Sequence, residues 1–71
     1  MTVLERVRRL IERLAPEPAC DDCIAKTLEL LQASQANLAS RELAGSEGFE
    51  RRNDVCALCG NTRTVTRRAA K

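Results

Sequence analysis

Four cysteines carry most of the chemistry open to this 71-residue sequence, and they come as two doublets: Cys20-Asp21-Asp22-Cys23 and Cys56-Ala57-Leu58-Cys59. Two C-x-x-C units set far apart in a chain are a strong signal for one tetrahedral zinc site, because four soft thiolates close the shell of a Zn²⁺ ion. The insert between them, Ile24–Val55, is 32 residues, longer than the roughly 15–20 of the usual spacing. It has room for helices and a strand. The ion is therefore expected to join the start of one helix to the tip of a later hairpin, with Cys20, Cys23, Cys56 and Cys59 as its ligands.

Two disulfides are the competing use of four cysteines. The first residues, MTVLERVRRLIERL, are charged and amphipathic and lack the apolar core of a signal peptide. No run approaches the roughly 20 apolar residues of a membrane span. The expectation is a cytoplasmic protein without membrane contact, in a compartment where disulfides are rare. Enzyme chemistry finds little support. There is no histidine, no Gly-rich phosphate loop, and a four-cysteine site leaves a metal no open position for substrate. Asp21 and Asp22 read better as first-turn helix residues than as general bases. A thioredoxin-like redox role needs a longer chain. Iron also accepts four thiolates, but the aromatic packing usual around such iron is missing, since Phe49 is the one aromatic residue.

That shortage of aromatics leaves Leu, Ile, Val and Ala to build the core of a domain near the lower size limit for independent folding. A structural zinc site binds with roughly 10–16 kcal/mol in small peptides, against a net stability of roughly 5–15 kcal/mol for a typical domain. Zinc is expected to be a condition of folding.

The elements that must position the cysteines can be read in order. Thr2-Val3-Leu4-Glu5 has the form of a capping box, with Thr2 as N-cap and Glu5 reaching back. Val3, Leu4, Val7, Leu10, Ile11 and Leu14 then form one apolar stripe at helical period. Arg6, Arg8, Arg9 and Arg13 lie off the stripe, as a solvated face. Pro16 and Pro18 end this helix. A second helix is expected from Cys20 or Asp21 to Leu31 or Gln32, with Ile24, Leu28 and Leu31 buried. Its first turn suits both the aspartates and the thiolates, because the exposed N–H groups there favour negative charge. Ala33-Ser34 reads as a turn, and Ser34 as the N-cap of a third helix, Gln35 to Ala44, although one continuous helix across Leu31–Ser34 also fits. Ala36, Ala39 and Leu43 form its expected inner face, and Asn37, Ser40, Arg41 and Ala44 its outer one. Leu38 belongs to neither. Gly45 and Gly48 bracket the exit. Phe49–Val55 and Thr62–Arg68 read as two strands. Between them Cys56–Gly60 forms a knuckle whose glycine permits positive φ and turns its N–H toward sulfur. Ala69 to Lys71 are expected to be loose.

Charge is uneven along the chain. Residues 1–14 carry +2, residues 15–50 carry −5 and residues 51–71 carry +5, and ten of the twelve basic residues are arginine. Arginine suits bidentate phosphate contacts, so the basic end hints at an anionic partner.

The predicted order, mainly helical with a small β-hairpin, is that of a winged helix-turn-helix. The stretch from Leu38 to Arg52 resembles the recognition helix and wing junction of bacterial winged-helix regulators. Leu43, Gly48, Phe49, Arg51 and Arg52 match their late leucine and Gly-apolar-x-Arg-Arg junction. The fold implied is three helices plus a two-stranded wing, with residues 1–15 as an N-terminal amphipathic helix and residues 20–68 as a zinc-clamped helix-turn-helix and hairpin. The zinc site departs from that family, because Cys56 and Cys59 would fold the wing tip back onto the second helix. In its parts, a knuckle plus a helix-start doublet, the site also resembles a treble clef in reversed chain order. The winged-helix resemblance implies binding of double-stranded DNA and a role in transcription regulation. Asn37, Ser40 and Arg41 would face the major groove, and Arg51, Arg52, Arg63, Arg67 and Arg68 would meet phosphates or the minor groove. The acidic Glu42 and Glu47 beside that helix count against tight binding. The alternative is a zinc-stabilised structural or protein-interaction module, pairing as a homodimer or with another protein through the first helix.

Overall fold

The computed structural model describes residues 2–45 and 48–69. Helix α1 spans Val3–Leu14, and Thr2 caps it, its Oγ1 accepting the Glu5 N–H at 3.1 Å. No return bond from the Glu5 carboxylate to the Thr2 N–H forms among the described residues. The apolar stripe packs as expected: Val7, Leu10 and Ile11 are buried, with Val3, Leu4 and Leu14 partly buried against the same core. Each fully buried aliphatic side chain contributes about 1.5–3 kcal/mol relative to exposure.

Helix α2 spans Asp21–Leu28, ending three to four residues before the sequence reading. Glu29 takes a left-handed conformation with φ of 55°. Its N–H donates to the Lys26 carbonyl at 3.3 Å, and the Leu30 N–H donates to the Ala25 carbonyl at 2.9 Å. That pair of bonds is a Schellman stop, and Leu30 folds back onto the core beside Ala25. Leu31, expected in the buried stripe, is instead 94% exposed. Arg6, expected to be solvated, reaches across and donates to the Leu28 carbonyl at 2.5 Å, satisfying a group that the helix leaves unpaired.

Helix α3 spans Ala33–Ala44 and is capped by Gln32 rather than Ser34. The Gln32 N–H donates to Gln35 Oε1 at 3.4 Å, while the Ser34 hydroxyl donates to Gln32 Oε1 at 3.1 Å. The expected turn residues Ala33 and Ser34 therefore lie in the helix, and the connection is Glu29–Gln32. Ala36, Ala39 and Leu43 are buried as expected, against both α1 and α2.

The sheet is larger than a hairpin. Strand β1 is Ala19–Cys20, β2 is Phe49–Val55 and β3 is Thr62–Arg68, in the antiparallel order β1-β3-β2. The protein is thus mixed α and β, with three helices and three strands among the described residues. In β1, Ala19 pairs with Thr66 and Cys20 with Val65. The Ala57 N–H adds a bond to the Pro18 carbonyl at 3.0 Å. These contacts carry the chain just before α2 onto the far end of the hairpin. Ala69, expected to be loose, donates to the Gly48 carbonyl at 2.7 Å. Ser46 and Glu47 of the wing junction, and Ala70 and Lys71 of the tail, lie outside the described residues. No helix among the described residues is long and apolar enough to cross a membrane.

Candidate metal centre

Cys20 is the last extended residue before α2, and Cys23 sits in that helix's first turn. Strand pairing through β1 holds this turn against the β2–β3 connection, where Cys56 and Cys59 project from the knuckle. One sulfur from each of the four cysteines lies within 4.8 Å of the others, and Cys20 Sγ and Cys59 Sγ are 3.9 Å apart. A tetrahedron with metal–sulfur bonds of ~2.3 Å has sulfur–sulfur edges of roughly 3.8 Å. All four cysteines are free thiols. They fit a tetrathiolate metal site, formed by the four residues that the spacing predicts.

Backbone donors complete the cage. The Cys20 N–H donates to Cys56 Sγ at 3.3 Å, and the Leu58 N–H donates to the same sulfur at 3.4 Å. Such bonds orient a ligand and stabilise its negative charge. Gly60 adopts φ of 76° as expected, but its N–H donates to the Cys56 carbonyl at 2.8 Å and not to sulfur. Burial pushes the Cys20 and Cys23 thiols up. Burial pushes Cys56 up as well, but the N–H groups of Cys20, Cys59 and Leu58 outweigh it and hold this thiol at about 6. Thiols held up in this way at Cys20 and Cys23 favour a cation among the sulfurs when they ionise together.

The residues expected to touch DNA separate into several groups. Ser40 is fully buried, and its Oγ has no hydrogen-bond partner among the described residues. It belongs to the core, because α3 packs on two helices and buries a face wider than its three apolar residues. An unpaired buried hydroxyl costs roughly 1–3 kcal/mol, and alanine is the better helix former. Ser40→Ala is expected to raise stability by about 1 kcal/mol in urea denaturation, where a surface position predicts only the smaller gain from helix propensity, about 0.5 kcal/mol. Asn37 and Arg51 are also withdrawn from the surface, since both bind Asp21. The Asn37 amide donates to Asp21 Oδ2 at 2.9 Å. Arg51 grips the same carboxylate with two nitrogens, at 3.0 and 3.3 Å, and donates to Thr66 Oγ1 at 3.0 Å. The side chains of Arg51 and Asp21 retain only 15% and 18% exposure.

Arg68 donates to Glu12 of α1 at 2.7 Å and lies over the Phe49 ring, 5.6 Å from its centre. It is a brace between α1 and the sheet. Arg67 donates to Glu50 at 2.5 Å, a bond that holds the Glu50 carboxyl below the usual carboxylate range. Arg63 pairs with Asp22, and Arg52 lies 3.4 Å from Asp54 and 3.7 Å from Glu50. Arg41 is exposed and makes no ion pair among the described residues. Sequence reasoning missed Asp21 as the hub of this network. Its partners are 16 and 30 residues away, and no local pattern announces them.

The outer face of α3 is formed by Ser34, Leu38 and Arg41, all exposed. Beside it a groove of about 740 Å³ runs between α3 and the start of α1, lined by Val3, Leu4, Gln35, Leu38, Ala39, Arg41 and Glu42. No protein-family model matches the chain, and no curated protein or solved structure does either.

Proposed function

We propose that this chain is a zinc-clamped winged helix-turn-helix module that binds duplex DNA. Zinc follows from the donor set. Four thiolates in a closed tetrahedral cage suit a d¹⁰ ion without geometric preference, and they leave no open position for catalysis. The observation that carries the DNA reading is the uncovered outer face of α3. This helix follows α2 after the four residues Glu29–Gln32, the connection length of a helix-turn-helix. It is seated on both other helices and is followed by an arginine-bearing hairpin. Asn37 and Arg51 share Asp21, so β2 lies on the Asn37 side of α3.

The ion pairs on the hairpin do not oppose this reading equally. Exposed pairs are worth roughly 0.2–1 kcal/mol, so a phosphate can displace the carboxylates of Arg52 and Arg63, whose side chains are 53% and 46% exposed. Arg67, at 30%, is the third candidate. Arg51 and Arg68 serve the fold. Three phosphate contacts give a log–log salt slope of roughly −2.7, or about a fortyfold loss of affinity between 50 and 200 mM salt. Arg52→Ala and Arg63→Ala should each flatten that slope by about 1, measured by fluorescence anisotropy on a random-sequence duplex. Absence of binding by the metal-loaded protein at 50 mM salt would remove the proposal.

A second reading, a protein-interaction module without a nucleic-acid role, is favoured by the groove between α1 and α3. Its apolar walls at Val3, Leu4 and Leu38 fit an apolar side chain of a partner or of a second copy.

A further inference from the structure

Leu38 is 65% exposed at the centre of the outer face of α3. It stands one turn after Ser34 and one turn before Arg41, while Ala36, Ala39 and Leu43 occupy the buried side. A hydroxyl, a bare aliphatic side chain and a guanidinium therefore lie in a row on one solvent-facing helix surface. Water is a poor neighbour for the middle member, whose burial is worth about 0.8 kcal/mol per methylene. The flanking Arg41, which makes no ion pair among the described residues, favours a polyanion over an apolar peptide as the occupant of this face, with Glu42 beside it as the one opposing charge lining the same groove.

We infer that Leu38 reads thymine through its C5-methyl group, so that the module selects sites with a thymine beside the base pair that Arg41 contacts. This rests on the DNA-binding reading above. The thymine methyl is the apolar group that base edges offer in the major groove, and guanine O6 and N7 are the acceptors that match an arginine fork. Leu38 and Arg41 are separated by three residues, a rise of about 4.5 Å, which places their tips on neighbouring base pairs. Ser34 donates or accepts and discriminates weakly.

The test compares alternating d(A-T) and d(A-U) duplexes of equal length, which differ in that methyl group while keeping the same hydrogen-bonding edges. The metal-loaded full chain should bind the thymine duplex about fourfold more tightly for each methyl contacted. Leu38→Ala should bring that ratio to about one and Leu38→Ile should retain it, with circular dichroism confirming an unchanged helical signal in both. Equal affinity of the unaltered protein for the two duplexes overturns the inference and leaves the DNA reading standing. A thymine preference that persists in Leu38→Ala also overturns it, because the discrimination then arises elsewhere. Failure to bind either duplex at low salt removes both readings together.

Discussion

Excess chelator is expected to unfold this protein. Helical circular dichroism should fall to that of a largely disordered chain, native mass spectrometry should find one metal ion per chain beforehand, and added Zn²⁺ should restore the signal. The expectation comes from where the four sulfurs sit. Cys20 and Cys56 form, with Val65 and the partly buried Cys23, a small cluster separate from the main core. Among the described residues nothing large and apolar bridges α2 to the hairpin tip there. Without the ion, that junction is four thiols, two of them buried, and β1 contributes only two residue pairs to hold it. A site of this type supplies roughly 10–16 kcal/mol, against a whole-domain stability of roughly 5–15 kcal/mol, so its loss outweighs what the remaining packing provides. Cys56→Ser should behave like chelation, because Cys56 is both a ligand and the acceptor of two backbone N–H groups. A helical signal that survives complete metal removal, shown by mass spectrometry on the same sample, would show that the aliphatic core is sufficient.

The metal site was legible because its information is local: two doublets state their own chemistry, and only their meeting had to be inferred. Helix α1 and strand β3 were legible for the same reason, the helix through a cap with its stripe and the strand through Thr62, Thr64 and Thr66 alternating with Arg63, Val65 and Arg67. The misread elements are those whose cause is distant. The end of α2 is set by a left-handed Glu29, where the expected signal is glycine, and Leu31, in register with the apolar stripe, lies beyond that stop. Strand β1 is too short for any periodicity to show. It exists because Ala19 and Cys20 meet Thr66 and Val65. Ser40 looked like a surface residue, since its burial depends on α3 being packed from two sides. Arg51, Arg63 and Arg68 looked free because their carboxylates, Asp21, Asp22 and Glu12, belong to other elements, whereas Glu50 and Asp54, the partners of Arg52 and Arg67, lie in the hairpin itself. A row of arginines in sequence thus became three roles in space: a buried grip at Arg51, a brace at Arg68, and exposed charge at Arg52 and Arg63.

Asp21 and Asp22 offer the cleanest separation of those roles. They are neighbours in the first turn of α2, so the favourable field at the helix N-terminus acts on both, at roughly 0.3–1 kcal/mol each. Their partners differ. Asp21 joins α3 through Asn37 and the sheet through Arg51, which also holds Thr66 on β3. Removing its carboxylate leaves a guanidinium at 15% exposure without a counter-charge. Breaking a buried pair from one side costs roughly 3–5 kcal/mol, and the remaining exposure places Asp21→Ala at the low end, about 3 kcal/mol. In a domain of this size that is a fall of about 12–24 °C in Tm. Asp22, with its side chain 59% exposed and paired with the exposed Arg63, should cost under about 1 kcal/mol as Asp22→Ala. Thermal melts of the two metal-loaded variants, side by side, decide the matter. Equal losses would mean that both aspartates act only through the helix end. A large loss confined to Asp21 would fix it as the residue that ties the metal-bearing turn to α3, and the same loss should appear in Arg51→Ala without adding to it in the double variant.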